Sequence, residues 1–212
     1  MHPNILNKNQ LAIVKKLKLP ETPSFYLAGG TALALQIGHR TSIDFDFYSQ
    51  KNFSSSQLAQ HIKKTFPNAK ALFTEEDTLK TAVGKTELSF FYYSYQMLEP
   101  FIKFQSLHLA SLADIGAMKL AAIVQRGTKR DFIDIYYLLK IYSLEKIIAF
   151  ALKKYSPYQP MLILRSLIYF EDAETKDTRP LRIFDPNFSW PEAKDKIFAE
   201  VKKYQLSLLK KQ

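Results

Sequence analysis

Hydrophobic and polar residues recur along this chain with either the helical period of about 3.6 residues or the strand period of two, and both periods occur in the first part of the chain. Apolar residues at helical spacing predict a helix over residues 8–19, and a short β-prone run covers residues 24–28. Residues 31–37 form a short helical segment, with Gly38 as a C-terminal stop. Residues 43–49 (IDFDFYS) alternate strictly between apolar and acidic side chains, which predicts a strand with one buried face.

Helical and β-prone segments continue to alternate as far as about residue 105. Serines that can cap a helix precede the helical pattern of residues 54–66. Three β-prone runs follow, and Gly84-Lys85 predicts a tight hairpin between the last two. These predicted strands cover residues 71–76, 79–83 and 86–93.

Helical periodicity dominates the remainder of the chain. The predicted helices cover residues 111–125, 129–140, 143–154, 160–170 and 190–209. We therefore expect an α+β protein of two domains: residues 1–105 form an α/β core, and residues 106–212 form a helical domain packed against it.

The amino-acid composition limits the kinds of site and partner that this protein can have. The chain of 212 residues contains no cysteine, which excludes disulfides, thiolate metal sites and a cysteine nucleophile. The formal net charge of +10 favours polyanionic partners such as nucleic acid or nucleotides. No apolar run approaches the roughly 20 residues that span a bilayer, so we expect a cytoplasmic protein with no membrane partner.

The acidic strand is the first candidate site. Asp44 and Asp46 are two residues apart, so a strand places both carboxylates on one face, while Ile43, Phe45 and Phe47 point to the core. Paired carboxylates bind hard cations such as Mg²⁺. The alternative for so short a pattern is an amphipathic strand whose acids face water.

A glycine pair precedes this strand. Gly29 and Gly30 lie between a strand and a helix, where a bare backbone can approach a ligand and helix N–H groups can bind phosphate. Thr31 can cap that helix or contact a phosphate oxygen, and Arg40 can bind phosphate or pair with an acid. The order of strand, Gly-Gly, helix and Asp-x-Asp strand is more specific than any of its parts.

The segment LAGGTALALQIGHRTSIDFDFYS resembles the signature of the AbiEii/AbiGii toxin family, which belongs to the nucleotidyltransferases with a DNA polymerase β-like fold. KLAAIVQRGTKRDFIDIYYL extends the resemblance with Lys119, Arg126, Asp131 and Asp134. The resemblance covers roughly residues 24–140. It implies a mixed sheet with flanking helices, followed by a helical part.

The resemblance also implies a reaction. A metal-bound NTP, with Mg²⁺ or Mn²⁺, would be attacked at its α-phosphate by an acceptor hydroxyl of RNA, tRNA above all, or of a protein. Members of the family are toxins of type IV-like toxin–antitoxin or abortive-infection systems, so an antitoxin protein and a role in phage defence are expected. Asp44, Asp46, Lys119 and Asp131 are the implied catalytic residues.

The second motif has its own geometry. Lys119 and Arg126 are seven residues apart, so on one helix they share a face and could both bind triphosphate oxygens. Two solvated basic side chains are the alternative. Asp131 can position the acceptor or the lysine, or it can form a capping pair with Thr128. Asp134 can be structural.

The resemblance also implies a third carboxylate on a neighbouring strand, for which residues 86–93 offer Glu87. If Glu87 points to the face of Asp44 and Asp46, it can act as metal ligand or general base. Three functions remain open at this point. The chain is a nucleotidyltransferase, a non-catalytic nucleotide- or RNA-binding protein of the same fold, or an interaction protein whose acids only face water.

Overall fold

The chain divides into two compact units, Met1–Ser111 and Leu112–Gln212, in a computed structural model that describes residues 1–22, 24–175 and 181–210. Every strand among these described residues belongs to the first unit, and the described part of the second unit is helical. The predicted packing of the helical part against the α/β core stays a prediction.

A seven-stranded mixed sheet forms the first unit. Its spatial order is β3-β4-β5-β2-β1-β7-β6. The strands are β1 (Tyr26–Ala28), β2 (Phe45–Ser49), β3 (Lys70–Glu75), β4 (Thr78–Val83), β5 (Thr86–Tyr92), β6 (Ile102–Phe104) and β7 (Leu107–Leu109). The central strand β2 runs antiparallel to β1 and parallel to β5, so its backbone is paired on both sides.

The alternation along β2 explains its place in the sheet. Phe45 and Phe47 are buried, whereas Asp46 and Tyr48 are half-buried. The predicted inward face is therefore confirmed for these two phenylalanines. It is wrong for Ile43, which is 42% exposed, because the strand begins only at Phe45 and Ile43 lies in the preceding loop.

Hairpins build both sides of the sheet. Gly84, with φ of +64°, lies in the tight turn that joins β4 to β5, and Val83 pairs with Thr86 across this predicted hairpin. A second hairpin joins β6 to β7, where the sequence analysis predicted no strands. Its signal is the alternation IKF-QS-LHL, in which Phe104 and Leu107 are buried on either side of a two-residue turn.

A short 3-10 helix (Pro3–Ile5) and three α-helices accompany this sheet: α1 (Lys8–Lys16), α2 (Gly29–Ile37) and α3 (Ser55–Thr65). Helix α1 ends three residues before the predicted end. An Asn7 capping box starts α1, and the Ser54 hydroxyl caps α3. Gly38, with φ of +68°, ends α2 in the left-handed conformation that the sequence predicted.

Six helices form the described part of the second unit. They are α4 (Leu112–Gln125), α5 (Lys129–Leu138), α6 (Leu144–Lys154), α7 (Pro160–Leu167), α8 (Glu171–Thr175) and α9 (Trp190–Leu209). The short helix α8 falls in a stretch that the sequence analysis treated as irregular. None of the helices within the described ranges combines the length and apolarity needed to cross a membrane.

Candidate functional site

The acidic pair lies at the start of the central strand. Asp46 is the second residue of β2, and Asp44 comes one residue before the strand begins. In the sheet Asp46 lies opposite Ala28 of β1 and Ser89 of β5. Both residues are half-buried, and strand alternation places Asp46 on the face of β2 opposite to Phe45 and Phe47.

Glu87 lies on the same face of the sheet, because β5 runs parallel to β2 with Phe45 opposite Leu88. Its backbone N–H donates a 3.2 Å hydrogen bond to Oδ1 of Asp44. Its carboxylate Oε1 accepts from the Ser89 hydroxyl at 3.1 Å and lies 3.8 Å from Nζ of Lys80. The structure therefore joins Glu87 to Asp44 through its backbone, and its predicted part as metal ligand or base stays a prediction.

The chemistry of this donor set suits a divalent cation only when a substrate completes the coordination. Residues 1–22, 24–175 and 181–210 contain no group of three or more His, Cys, Asp or Glu side chains arranged to hold a metal. Mg²⁺ commonly uses one or two protein carboxylates together with substrate phosphates. Asp44 and Asp46 fit that requirement.

The glycine turn approaches the acidic pair closely. Gly29 starts α2 with φ of +66°, and a Cβ placed on it would lie 3.1 Å from Oδ2 of Asp46. Glycine is therefore required here both for the left-handed backbone and for the space beside the carboxylate. The sequence-predicted turn and the sequence-predicted carboxylate are brought together.

Arg40 lies beneath the same helix end. Its side chain is only 2% exposed, and a Cβ on Gly30 would lie 2.5 Å from its Nη2 atom. One of its guanidinium nitrogens, Nη1, donates to the carbonyl of Thr41 at 2.9 Å. The structure thus places a buried cation against the first turn of α2, where an anion would be stabilised.

Thr31 has a different environment from the predicted one. It is the third residue of α2, because the helix begins at Gly29, and it is not the capping residue. Its buried hydroxyl donates to the carbonyl of Asp44 and contacts Oγ of Ser42 at 2.8 Å. The hydroxyl therefore positions the acidic segment, and a phosphate contact from Thr31 would have to come from its backbone N–H.

Gln10 is a positioning residue that the sequence analysis missed. Its side-chain amide is 1% exposed and donates to the carbonyls of Ser42 at 2.8 Å and Ile43 at 2.9 Å. The available signal was a polar residue on the apolar face of α1, in helical register with Ile13 and Val14. Gln10 thus supports the loop that leads into Asp44.

The second unit brings a lysine and two aspartates together. Nζ of Lys119, on α4, lies 2.9 Å from Oδ1 of Asp131 and 2.6 Å from Oδ2 of Asp134 on α5. All three side chains are buried. The spacing of Asp131 and Asp134 by three residues puts both on the helix face that meets Lys119.

Asp131 receives further support around this pair. Burial raises the pKa of its carboxyl, but the charge of Lys119, the Thr128 hydroxyl and the charge of Arg126 together outweigh burial and lower the pKa below its usual range. The Thr128 hydroxyl donates to Oδ2 of Asp131 at 2.7 Å and makes no capping bond to the helix backbone. Asp131 is therefore ionised at neutral pH.

Arg126 is the residue directly after α4, and its backbone N–H still donates to the carbonyl of Ala122 at 2.8 Å. Its Nε atom is 3.7 Å from Oδ2 of Asp131, and its side chain is 65% exposed. Both predicted cations thus meet at one carboxylate. Lys119 is enclosed by acids, whereas Arg126 projects most of its surface to solvent.

Comparison with known proteins agrees with these motifs. The family model described as nucleotidyl transferase AbiEii toxin, type IV TA system, matches residues 15–104 and 92–203. An uncharacterized protein of Aquifex aeolicus (strain VF5) is 36% identical over 202 residues, which cover 91% of this chain and 94% of the relative.

Solved structures show the same fold. A Helicobacter pylori protein assigned as a nucleotidyltransferase has a TM-score of 0.60 at 21% identity, over 97% of this chain and 95% of that one. JHP933 from Helicobacter pylori has a TM-score of 0.57 at 20% identity, over 96% and 92% of the two chains. The predicted mixed sheet with flanking helices is confirmed.

Proposed function

The chain belongs to the family of nucleotidyl transferase AbiEii toxins of type IV toxin–antitoxin systems, and from this membership we propose that it transfers an NMP from an NTP to a hydroxyl of RNA, with tRNA as the first candidate acceptor. The observation that carries the proposal is Asp46 on β2 against the bare backbone of Gly29, with Asp44 directly before the strand. That arrangement combines cation-binding oxygens with a helix N-terminus suited to phosphate.

In this proposal Asp44 and Asp46 hold Mg²⁺ or Mn²⁺ together with the triphosphate. The bound cation would neutralise charge on the triphosphate and on the departing pyrophosphate. Gly29 and Gly30 let Asp46 and Arg40 pack closely against the first turn of α2, where the buried Arg40 adds positive charge.

The reaction forms a bond between the acceptor oxygen and the α-phosphorus, and it breaks the bond from that phosphorus to the oxygen of the departing pyrophosphate. The acceptor proton must pass to a base, for which Glu87 is our candidate on the Asp44 face. Arg126, which is largely exposed, is our candidate in the second unit for binding phosphate oxygens. Lys119 and Asp131 form an ion pair in that unit, and the catalytic part that the family implies for them is also a proposal.

The test is transfer of label from each α-³²P-labelled NTP in turn to total tRNA, with Mg²⁺ and with Mn²⁺. We expect label on RNA with the wild type and none with Asp44→Asn/Asp46→Asn. The matched control is Glu75→Gln/Glu76→Gln, which removes two exposed acids near the β3–β4 hairpin and should leave transfer intact. Equal transfer by the wild type and the double aspartate variant would refute the proposal.

The acceptor is identified in the same reactions. Label on the protein in the absence of RNA would replace RNA with a protein hydroxyl as the acceptor. Coexpression with an antitoxin protein, which family membership leads us to propose as partner, should restore growth that the wild type arrests. Asp44→Asn/Asp46→Asn should not arrest growth at all.

A non-catalytic nucleotide- or RNA-binding protein is the second candidate. The observation that favours it is the absence of a three-carboxylate cluster from the described residues, with Glu87 joined to Asp44 by its backbone. Under this function NTP and Mg²⁺ raise the melting temperature, while no label reaches any acceptor. Ligand at 100 times its Kd stabilises by about 2.7 kcal/mol, which a thermal shift detects readily.

A further inference from the structure

Five lysines gather where the C-terminal ends of two helices meet in the first unit. Lys15 and Lys16 occupy the last turn of α1, Lys18 follows it, and Lys63 and Lys64 occupy the last turn of α3. A hydrogen bond of 2.6 Å between Nε2 of His61 and the carbonyl of Lys18 joins the two helix ends. We call these five residues the lysine patch.

The patch is unneutralised. All five side chains are exposed, and in residues 1–22, 24–175 and 181–210 no carboxylate lies within 4 Å of any of their ammonium groups. Neither α1 nor α3 carries an acidic residue, and Glu21 in the turn after Lys18 is the nearest acid in sequence. Some lysines elsewhere do pair with acids, as Lys196 does with Glu200 at 2.7 Å.

The chemistry of the patch selects its partner. No large hydrophobic residue of α1 or α3 is exposed. Protein interfaces need an apolar centre and are depleted in lysine, and interfacial helices need an apolar face to enter a membrane. A cluster of mobile ammonium groups without an apolar centre fits the phosphates of a nucleic-acid backbone.

Helix dipoles explain part of this arrangement but not all of it. Lysine in the last turn of a helix is stabilising in any protein, because it faces the negative end of the dipole. The dipole effect acts on each helix separately, so it does not explain why the C-terminal ends of α1 and α3 are joined through His61. It also does not explain Lys18, which lies outside the last turn of α1. The dipole role predicts lower stability without lysine, whereas a phosphate role predicts lower RNA affinity.

We propose that the lysine patch binds the phosphate backbone of the acceptor RNA, an inference that rests on the proposed function for the identity of that RNA. The patch contributes affinity without sequence preference. It therefore fits an enzyme that recognises its acceptor by backbone and shape, with the transferred nucleotide chosen elsewhere.

The experiment measures binding separately from transfer. The patch variant is Lys15→Gln/Lys16→Gln/Lys63→Gln/Lys64→Gln. The matched control removes four exposed lysines of the second unit, as Lys153→Gln/Lys202→Gln/Lys203→Gln/Lys210→Gln. Glutamine keeps the helix propensity of lysine, so both variants should fold. Far-ultraviolet circular dichroism and the melting temperature confirm this before binding is measured.

Binding of fluorescein-labelled tRNA and of a labelled single-stranded RNA is followed by anisotropy between about 50 and 200 mM salt. Each phosphate contact contributes about 0.7 to 0.9 to the slope of log K against log salt, so four lost contacts should lower the slope by about 3. We expect the patch variant to lose about tenfold or more in affinity at the lowest salt. The control variant should keep the wild-type slope.

Equal slopes for the patch variant and the wild type would overturn the proposal, as would an equal loss in the control variant. If only the patch variant loses binding of polyglutamate while RNA binding is unchanged, the patch belongs to an acidic protein partner and the proposal also fails. RNA binding that depends on the patch without any transfer of label would keep this inference and reject the proposed reaction. RNA binding by the lysine patch and nucleotide transfer to RNA can therefore be refuted independently.

Discussion

Replacing Lys119 with methionine should destabilise the second unit strongly. The lysine ammonium faces two carboxylates, at 2.9 Å and 2.6 Å, whose side chains are 2% and 0% exposed. Removing one partner of a buried ion pair costs about 3–5 kcal/mol, because the remaining charge stays buried without its counter-ion. Thr128 and Arg126 still support Asp131. We therefore expect a loss of at least about 3 kcal/mol at neutral pH.

The chain offers a direct readout for this experiment. Its single tryptophan, Trp190, lies in the second unit with its ring 6.3 Å from that of Phe132, the residue after Asp131. Urea denaturation followed by tryptophan fluorescence therefore reports unfolding around the cluster. The free energy of unfolding is obtained from the midpoint and the slope of the transition.

A triple variant separates the charge effect from packing. Lys119→Met/Asp131→Asn/Asp134→Asn removes all three charges and keeps the side-chain volumes close to the original ones. It should recover more than half of the stability lost by Lys119→Met, yet remain inactive in the transfer assay. A Lys119→Met variant within about 1 kcal/mol of the wild type, or a triple variant no more stable than the single one, would refute the reasoning.

Three further predictions follow from single contacts. Because the folded-state pKa of Asp131 is lowered, its ionisation adds stability above the ordinary aspartate pKa of about 3.9, and that stability disappears as the pH falls through the lower folded value. The difference in urea stability between the wild type and Asp131→Asn should therefore be widest at neutral pH and narrow in acid. Lys154→Met should cost about 3–5 kcal/mol in urea denaturation, since Nζ lies 2.8 Å from Oδ1 of Asp114 and both side chains are fully buried. Gly29→Ala should lower the free energy of unfolding by about 1–2 kcal/mol and reduce transfer, because Gly29 has a positive φ and lies beside the Asp46 carboxylate. The control Gly116→Ala lies in a helix with Ile147 at an ordinary contact distance of 3.4 Å, so it should raise the free energy of unfolding by about 0.5–1 kcal/mol in the same urea denaturation.

Local pattern was enough to predict much of the first unit. The strict alternation of residues 43–49 predicts β2, and the turn at Gly84 predicts the pairing of β4 with β5. The family resemblance supplied the fold, which the comparisons confirm. The β6–β7 hairpin was not predicted, because each of its strands has only three residues, which is too few for a clear periodic pattern.

The site was predictable where function needs a particular residue type at a fixed spacing. The Gly-Gly turn and the acidic pair are of this kind, and the structure brings them together at Gly29 and Asp46. Contacts between residues far apart in sequence could not be read in this way. Gln10 reaches the carbonyl of Ser42, and Lys154 reaches Asp114 forty residues away, because tertiary packing and not local spacing places them there.

The order of strands in the sheet also fixes when the acidic pair can be assembled during synthesis. Strand β1 pairs with β2 on one side, but its other neighbour, β7, is made 82 residues later, where Leu109 pairs with Leu27. Strand β2 likewise waits for β5, which is made after the β3–β4 hairpin. Contacts of such long sequence separation form late in folding. A ribosome-bound chain that has emerged only as far as β4 therefore carries Asp46 on a strand that still lacks its parallel neighbour β5, and Asp44 without the Glu87 N–H from which its carboxylate accepts.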